Sequence, residues 1–137
     1  MLNFSSFFMK GLNGTLRLLN NTNFSYKGQW IPVYSDTVLD KWYIGDFMSA
    51  DYTISIDFDG QDKEIIKCLV VAGIDTASLS VYGRTNLGNN IVDVSATVNN
   101  SFVEVVLNLD SLGTRDFTGA RAVFSVNYYC TVSPLIA

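Results

Sequence analysis

The chain has no histidine, and only two cysteines, two prolines and two tryptophans in 137 residues. Without histidine, no Ser-His-Asp or Cys-His arrangement can be assembled. General acid–base chemistry near neutral pH, and most zinc and copper sites, also lose their commonest side chain. The two cysteines, Cys68 and Cys130, are too few for a disulfide framework. Each sits among apolar neighbours, the habit of a buried reduced thiol, and a reduced pair is expected; a single bridge between adjacent strands stays open. Charge is scarce as well, at 16% of residues against about a quarter in an ordinary domain. Nine basic and thirteen acidic residues give a net charge of −4. No basic run exists to follow a phosphate backbone, so no nucleic-acid partner is expected. No apolar stretch approaches the roughly 18 residues needed to cross a bilayer, which argues against a membrane partner. The first ten residues lack a basic segment and a long apolar core, so they are not expected to act as a signal peptide.

What is present is apolar: 48% of residues are hydrophobic. The length suits one domain that can bury a real core without staples. A charge-poor chain with so much apolar surface is expected to hide some of it in a partner. Residues 91–109 (IVDVSATVNNSFVEVVLNL) show the governing pattern. Val92, Val94, Ala96 and Val98 alternate with polar residues, and Val103, Val105, Leu107 and Leu109 do so again. Period-2 alternation means a strand with one face in a core and one in water. Asn99-Asn100 reads as a two-residue turn, because asparagine tolerates positive φ. That turn predicts residue 98 opposite 101, 96 opposite 103 and 94 opposite 105.

The remainder of the chain repeats the pattern. Residues 29–34 and 41–48 read as strands, the first an edge strand because Pro32 cannot donate to a ladder. Trp30 and Trp42 read as core anchors. Residues 50–59 place Tyr52, Ile54, Ile56 and Phe58 inward. Residues 64–72 (EIIKCLVVA) are apolar on both sides, as in a central strand covered on both faces. Residues 78–84 put Leu79 and Val81 inward, and residues 119–132 give a long strand with Ala120, Ala122, Phe124, Val126, Tyr128 and Cys130 on one face. The expected fold is an all-β antiparallel sandwich, jelly-roll-like, of about eight to ten strands. Residues 28–137 would form the sandwich. Residues 1–27, rich in Phe, Leu, Asn and Ser, would form either an arm laid on a neighbouring subunit or an edge strand with a leader. Phe4, Phe7, Phe8 and Leu12 are the candidate assembly contacts of that arm.

Few constellations suggest chemistry. The acidic turn Asp57, Asp59, Asp62 and Glu64 around Gly60 is the one calcium-like cluster, but its ligands are too few and no helices flank it. Asp93 and Glu104, outward and nearly facing on paired strands, look like surface charges rather than a hydrolytic pair. Residues 83–88 (GRTNLG) have the wrong spacing for a phosphate-binding loop. Five N-x-S/T triplets, at Asn3, Asn13, Asn20, Asn23 and Asn99, follow from the richness in Asn, Ser and Thr. Tyr82, Phe102 and Tyr129 are candidate surface aromatics for a sugar or protein contact, although cross-strand packing also explains them. No catalytic residue, metal site or cofactor is expected.

Four segments resemble a known group when taken together: residues 49–56 (SADYTISI), 63–72 (KEIIKCLVVA), 81–88 (VYGRTNLG) and 119–124 (GARAVF), the last followed by Tyr128-Tyr129. The set is similar to small structural proteins of tailed bacteriophages, especially marine cyanophages, over roughly residues 42 to 134. The resemblance implies a non-enzymatic virion component, made in a bacterial cytoplasm and assembled onto the particle. Its expected position is the tail, baseplate or fibre, with other virion proteins and further copies of itself as partners. A capsid decoration protein cementing the head, or a module gripping host-surface polysaccharide, are the alternatives.

Overall fold

The computed structural model describes residues 16–17, 23–58, 62–88, 90–109 and 119–130. Among these residues there are ten strands and no helix. In chain order they are β1 (Leu16–Arg17), β2 (Asn23–Lys27), β3 (Ile31–Pro32), β4 (Thr37–Tyr43), β5 (Phe47–Phe58), β6 (Asp62–Ala72), β7 (Ala77–Asn86), β8 (Val92–Asn99), β9 (Phe102–Leu109) and β10 (Ala120–Cys130). Two antiparallel sheets result. The larger runs β1-β2-β10-β5-β6-β7, with β3 also on β10, and the smaller runs β4-β9-β8. The chain is therefore an all-β sandwich, as the alternation predicts, with sheets of unequal width.

Parity sets the core. On β5, Ala50, Tyr52, Ile54 and Ile56 are buried, and on β10 so are Ala120, Ala122, Phe124, Val126 and Tyr128. Val103, Val105 and Leu107 of β9 close the core from the small sheet. Each such aliphatic side chain contributes about 1.5–3 kcal/mol by leaving water. An aromatic cluster fills the region between the sheets: Phe47 stacks on Tyr128 at 4.6 Å, and Trp42 meets Tyr128 edge-on at 6.0 Å. Cys68 is buried there as a free thiol. Burial first, and then the charge of Asp51, push that thiol up to about 12.

Several sequence expectations need correction. The hairpin turn is one residue later than expected: Asn100 and Ser101 hold φ of 52° and 68°. Positive φ at both central residues is the geometry that matches the twist of the flanking strands. The register is then Asn99 opposite Phe102, Val98 opposite Val103 and Ala96 opposite Val105. A one-residue move of the turn shifts the pairing by two, so the apolar faces stay as expected. Among the described residues, Ile31 and Pro32 are the part of the expected strand 29–34 that forms a strand, paired with β10, and the Val33 N–H also donates to the Ala120 carbonyl at 2.9 Å. Pro32 is on an edge, as its missing N–H requires. The expected strand 41–48 is split by a turn at residues 44–46. Trp30 is half-exposed rather than a core anchor, and Val81 is 41% exposed rather than inward. A β-bulge between Lys67 and Cys68 pairs Lys67 with Gly83 and Cys68 with Val81, which leaves Tyr82 as the extra residue.

Within residues 1–27, Leu16–Arg17 pairs with β2, and Asn23–Lys27 pairs with Ser125 to Tyr129 of β10. These two segments are part of the large sheet. Phe4, Phe7, Phe8 and Leu12 lie outside the described residues.

Candidate functional site

The outer face of the large sheet is where sequence and structure differ most. β6 is central, between β5 and β7, as expected. Its inward side chains Ile66, Cys68 and Val70 are buried, but Ile65, Leu69 and Val71 face outward at 38%, 49% and 52% exposure. The expectation that both faces of β6 are covered is not met by the described residues. The register places these apolar side chains in rows with their neighbours: Tyr129, Ser49, Val71 and Ser78 in one, and Asn127, Asp51, Leu69 and Ser80 in the next. Tyr82, released from the ladder by the bulge, sends its hydroxyl to Asp51 Oδ1 at 2.7 Å, two strands away. That hydrogen bond, above all, pushes the Tyr82 phenol up to about 12. Tyr82 and Tyr129 thus share one face with Leu69 and Val71. Phe102 does not: it belongs to the small sheet, against Tyr43 at 5.7 Å and under the Lys41 ammonium at 5.0 Å.

Farther along the same face a groove of about 540 Å³ opens between Trp30, Ile65, Leu87 and Arg121. The Arg121 guanidinium lies 4.9 Å over the Trp30 ring and donates to Asp57 Oδ2 at 3.1 Å. Asp57, one of the expected calcium-like acids, is committed to that pair. Residues 59–61 of the turn lie outside the described residues. Among the described residues, no group of three or more His, Cys, Asp or Glu is placed to hold a metal ion.

Two carboxylates are withdrawn from water, one fully and one in part, and the sequence pattern marks neither as such. Glu64, only 3% exposed, points inward from β6. It accepts from Arg84 Nε at 3.1 Å, from Asn86 Nδ2 at 3.1 Å, and from the backbone N–H groups of Ile91 and Val92 at 3.2 and 3.3 Å. Arg84 also donates to the Val92 carbonyl and lies 3.6 Å from Asp93. Glu64 therefore ties β6 and β7 of the large sheet to the start of β8 in the small one. Its signal was a lone acid at an inward parity position, between Ile66 and the acidic turn.

The second is Asp40, placed by a β-bulge between Val38 and Asp40 where β4 pairs with β9. The hydroxyls of Tyr52 and Tyr128 donate to its Oδ2 at 2.7 and 2.5 Å, and the Lys41 N–H donates to Oδ1 at 2.9 Å. Trp42 Nε1 donates in turn to the Tyr52 oxygen at 2.9 Å. Burial raises the Asp40 pKa, and the hydroxyl and N–H donors oppose that rise. The same burial, with the charge of Asp40, raises both tyrosines well above the ordinary phenol range. Asp40 lies on a second groove, of about 770 Å³, that also meets Tyr26, Phe124 and Tyr128. Gly28 borders it closely: a Cβ there would meet the Phe124 ring at 3.0 Å.

Asp93 and Glu104 do not come to face one another as expected. Asp93 stands opposite Asn108 and Glu104 opposite Thr97. Each acid has its own cation instead, Arg84 at 3.6 Å for Asp93 and Lys41 at 3.8 Å for Glu104. The two-residue shift of register accounts for the difference.

No protein-family model and no curated protein sequence matches the chain. Among solved structures it is similar to the tailspike protein of Acinetobacter baumannii phage AM24, with 11% identity and a TM-score of 0.47 over 80% of this chain and 26% of that one. It is also similar to tailspike protein gp49 of Acinetobacter baumannii bacteriophage Fri1, a capsular polysaccharide depolymerase. There the identity is 8% and the TM-score 0.47, over 97% of this chain and 22% of that one. The chain spans about a quarter of the length of these tailspikes. The similarity is one of β-rich outline, and no residue assignment passes from those proteins to this chain.

Proposed function

We propose that this chain is a non-enzymatic structural component of a tailed-phage virion, associated with the tail, and that it works by contact through the outer face of its large sheet. One observation carries the reading: β6 is apolar on both sides, yet the described chain covers only one of them. Leu69, Val71, Tyr82 and Tyr129 lie side by side on the uncovered face. Leu69, Val71 and the two tyrosine rings form an apolar strip among Ser49, Asp51, Ser78 and Ser80, and exposed apolar side chains grouped in this way mark a contact surface more often than a solvated one. Low charge and the resemblance of residues 49–56, 63–72, 81–88 and 119–124 to phage structural proteins support the same reading. The partners are other virion proteins and further copies of the chain, in a closed ring or comparable assembly. Residues 1–15, with Phe4, Phe7, Phe8 and Leu12, are the proposed docking element that such a neighbour receives.

Immunogold labelling of intact virions tests the position. Label at the tail end is the expected result. Label spread over the head contradicts it and makes the chain a decoration protein. Deleting residues 1–15 should leave a folded domain that no longer joins the particle, and normal incorporation would retire the docking element.

A second reading has its own observation, the groove beside the exposed Trp30 ring with Arg121, Asp57 and Asn86 at hand. A flat ring flanked by hydrogen-bonding groups suits a host-surface polysaccharide. It requires that the isolated chain bind host cells and that Trp30→Ala abolish that binding without unfolding.

A further inference from the structure

Among the described residues two acids are withdrawn from water, Glu64 fully and Asp40 in part, and only one of them has a cation. Glu64 is answered by Arg84. Among the described residues no Lys or Arg is paired with Asp40. The nearest in sequence, Lys41, is turned to Glu104 at 3.8 Å and to the Phe102 ring. A desolvated carboxylate without a counter-charge is costly, and hydroxyl donors offset only part of that cost. A partly buried carboxylate with no internal cation, on the wall of an open groove, is the arrangement of a site whose last partner arrives from outside.

We propose that the groove over Asp40 receives a lysine side chain from a neighbouring protein, with its ammonium on Asp40 Oδ1 and its methylene stem along the rings of Tyr26, Phe124 and Tyr128. Acceptor capacity selects the ammonium. Asp40 Oδ2 already accepts two hydroxyls, and Oδ1 accepts one N–H. A carboxylate offers about four acceptor directions, which leaves one. A guanidinium fork wants two parallel acceptors, whereas an ammonium is a point charge satisfied by one. The lining suits the rest of the side chain: Tyr26 and Phe124 pack against each other, 5.6 Å centre to centre, and present one apolar wall. Ring faces attract a cation, and an apolar wall takes up a four-carbon stem. The proposal deepens the contact reading and depends on it only for the source of the lysine.

The test is an NMR titration of the full chain with n-butylammonium chloride, with n-butanol at matched ionic strength as the neutral control. Saturable shifts of the Tyr26 and Tyr128 ring signals are expected with the ammonium, with at least about a tenfold weaker response to butanol, and none with the ammonium in Asp40→Asn. Equal responses to the two probes, or an undiminished response in Asp40→Asn, would overturn the site. The Trp42 indole signal reports whether the variant keeps its fold. Should it not, the unaltered chain is titrated at a pH low enough to protonate Asp40, and persistence of the ammonium response there overturns the proposal equally. The two readings separate cleanly. A chain that answers butylammonium through Asp40 but never joins a particle retires the assembly reading and keeps the groove. A chain that joins particles but ignores butylammonium does the reverse.

Discussion

Glu64 and Asp40 are both carboxylates withdrawn from water, and they are built in opposite ways. Glu64 sits at the join of the two sheets with a guanidinium, a side-chain amide and two backbone N–H groups around it. Every contact it makes is internal, so it acts as a latch. Asp40 has two phenols and one N–H, no cation among the described residues, and a groove beside it. The difference teaches that burial of charge alone says little. What matters is whether the fold completes the coordination of the acid or leaves a direction open.

The comparison can be broken from the Glu64 side first. Glu64→Ala strands Arg84 and two N–H groups and should cost roughly 3–5 kcal/mol, as loss of one partner of a buried pair does. Chemical denaturation measures it, and a cost below about 1 kcal/mol would reduce the latch to decoration. Arg84→Lys keeps the charge but loses the fork and the Val92 carbonyl contact, so a smaller loss of about 1–2 kcal/mol is expected by the same method.

Asp40 should respond with the other sign. Its pKa is raised in the folded chain above the ordinary 3.8. A raised carboxyl contributes stability that is full below the unfolded value and is lost as pH rises through the folded one. Asp40→Asn removes the ionising group while leaving an oxygen for the two tyrosines. The variant should therefore gain on the unaltered chain as pH rises above 3.8, and exceed it by about 1 kcal/mol at pH 7. Parallel melting curves from pH 4 to 8 check it; a gap that is constant with pH, or that favours the unaltered chain more at higher pH, would sink the idea.

The smallest change in stability is expected on the outer face. Leu69→Glu with Val71→Glu alters half-exposed side chains on the water side of β6. Away from the core such changes stay within about 0.5 kcal/mol per site. A larger loss, seen in the melting temperature, would mean that the chain itself covers this face.

Much of this was legible in the sequence, and the reasons for the rest are physical. Period-2 alternation located β5, β8, β9 and β10 and their inward faces, because strand parity is a local property. The turn lies one residue later than the pattern predicts: asparagine favours positive φ more than serine does, yet Ser101 and not Asn99 takes that conformation. Trp30 has the size of a core residue, yet its ring lies half-exposed beneath the Arg121 guanidinium. β6 is apolar on both sides, as its sequence shows, while the described residues cover only one of them, since a sequence shows what must be hidden and not what hides it. Glu64 finds Arg84 twenty residues away across a bulged strand pair, and Asp40 finds Tyr128 eighty-eight residues away. Neither separation leaves a trace in local pattern. The bulge at Val38–Asp40 also removes the parity signal that would have marked Asp40 as inward.

The central claim is that the uncovered face of the large sheet is a contact surface. The most direct measurement is the amount of chain carried by purified virions when infected cells supply either the unaltered protein or the Leu69→Glu, Val71→Glu form, each shown by circular dichroism to be folded. The account predicts that the altered chain is folded and absent from the particle. Incorporation at the unaltered level would contradict it.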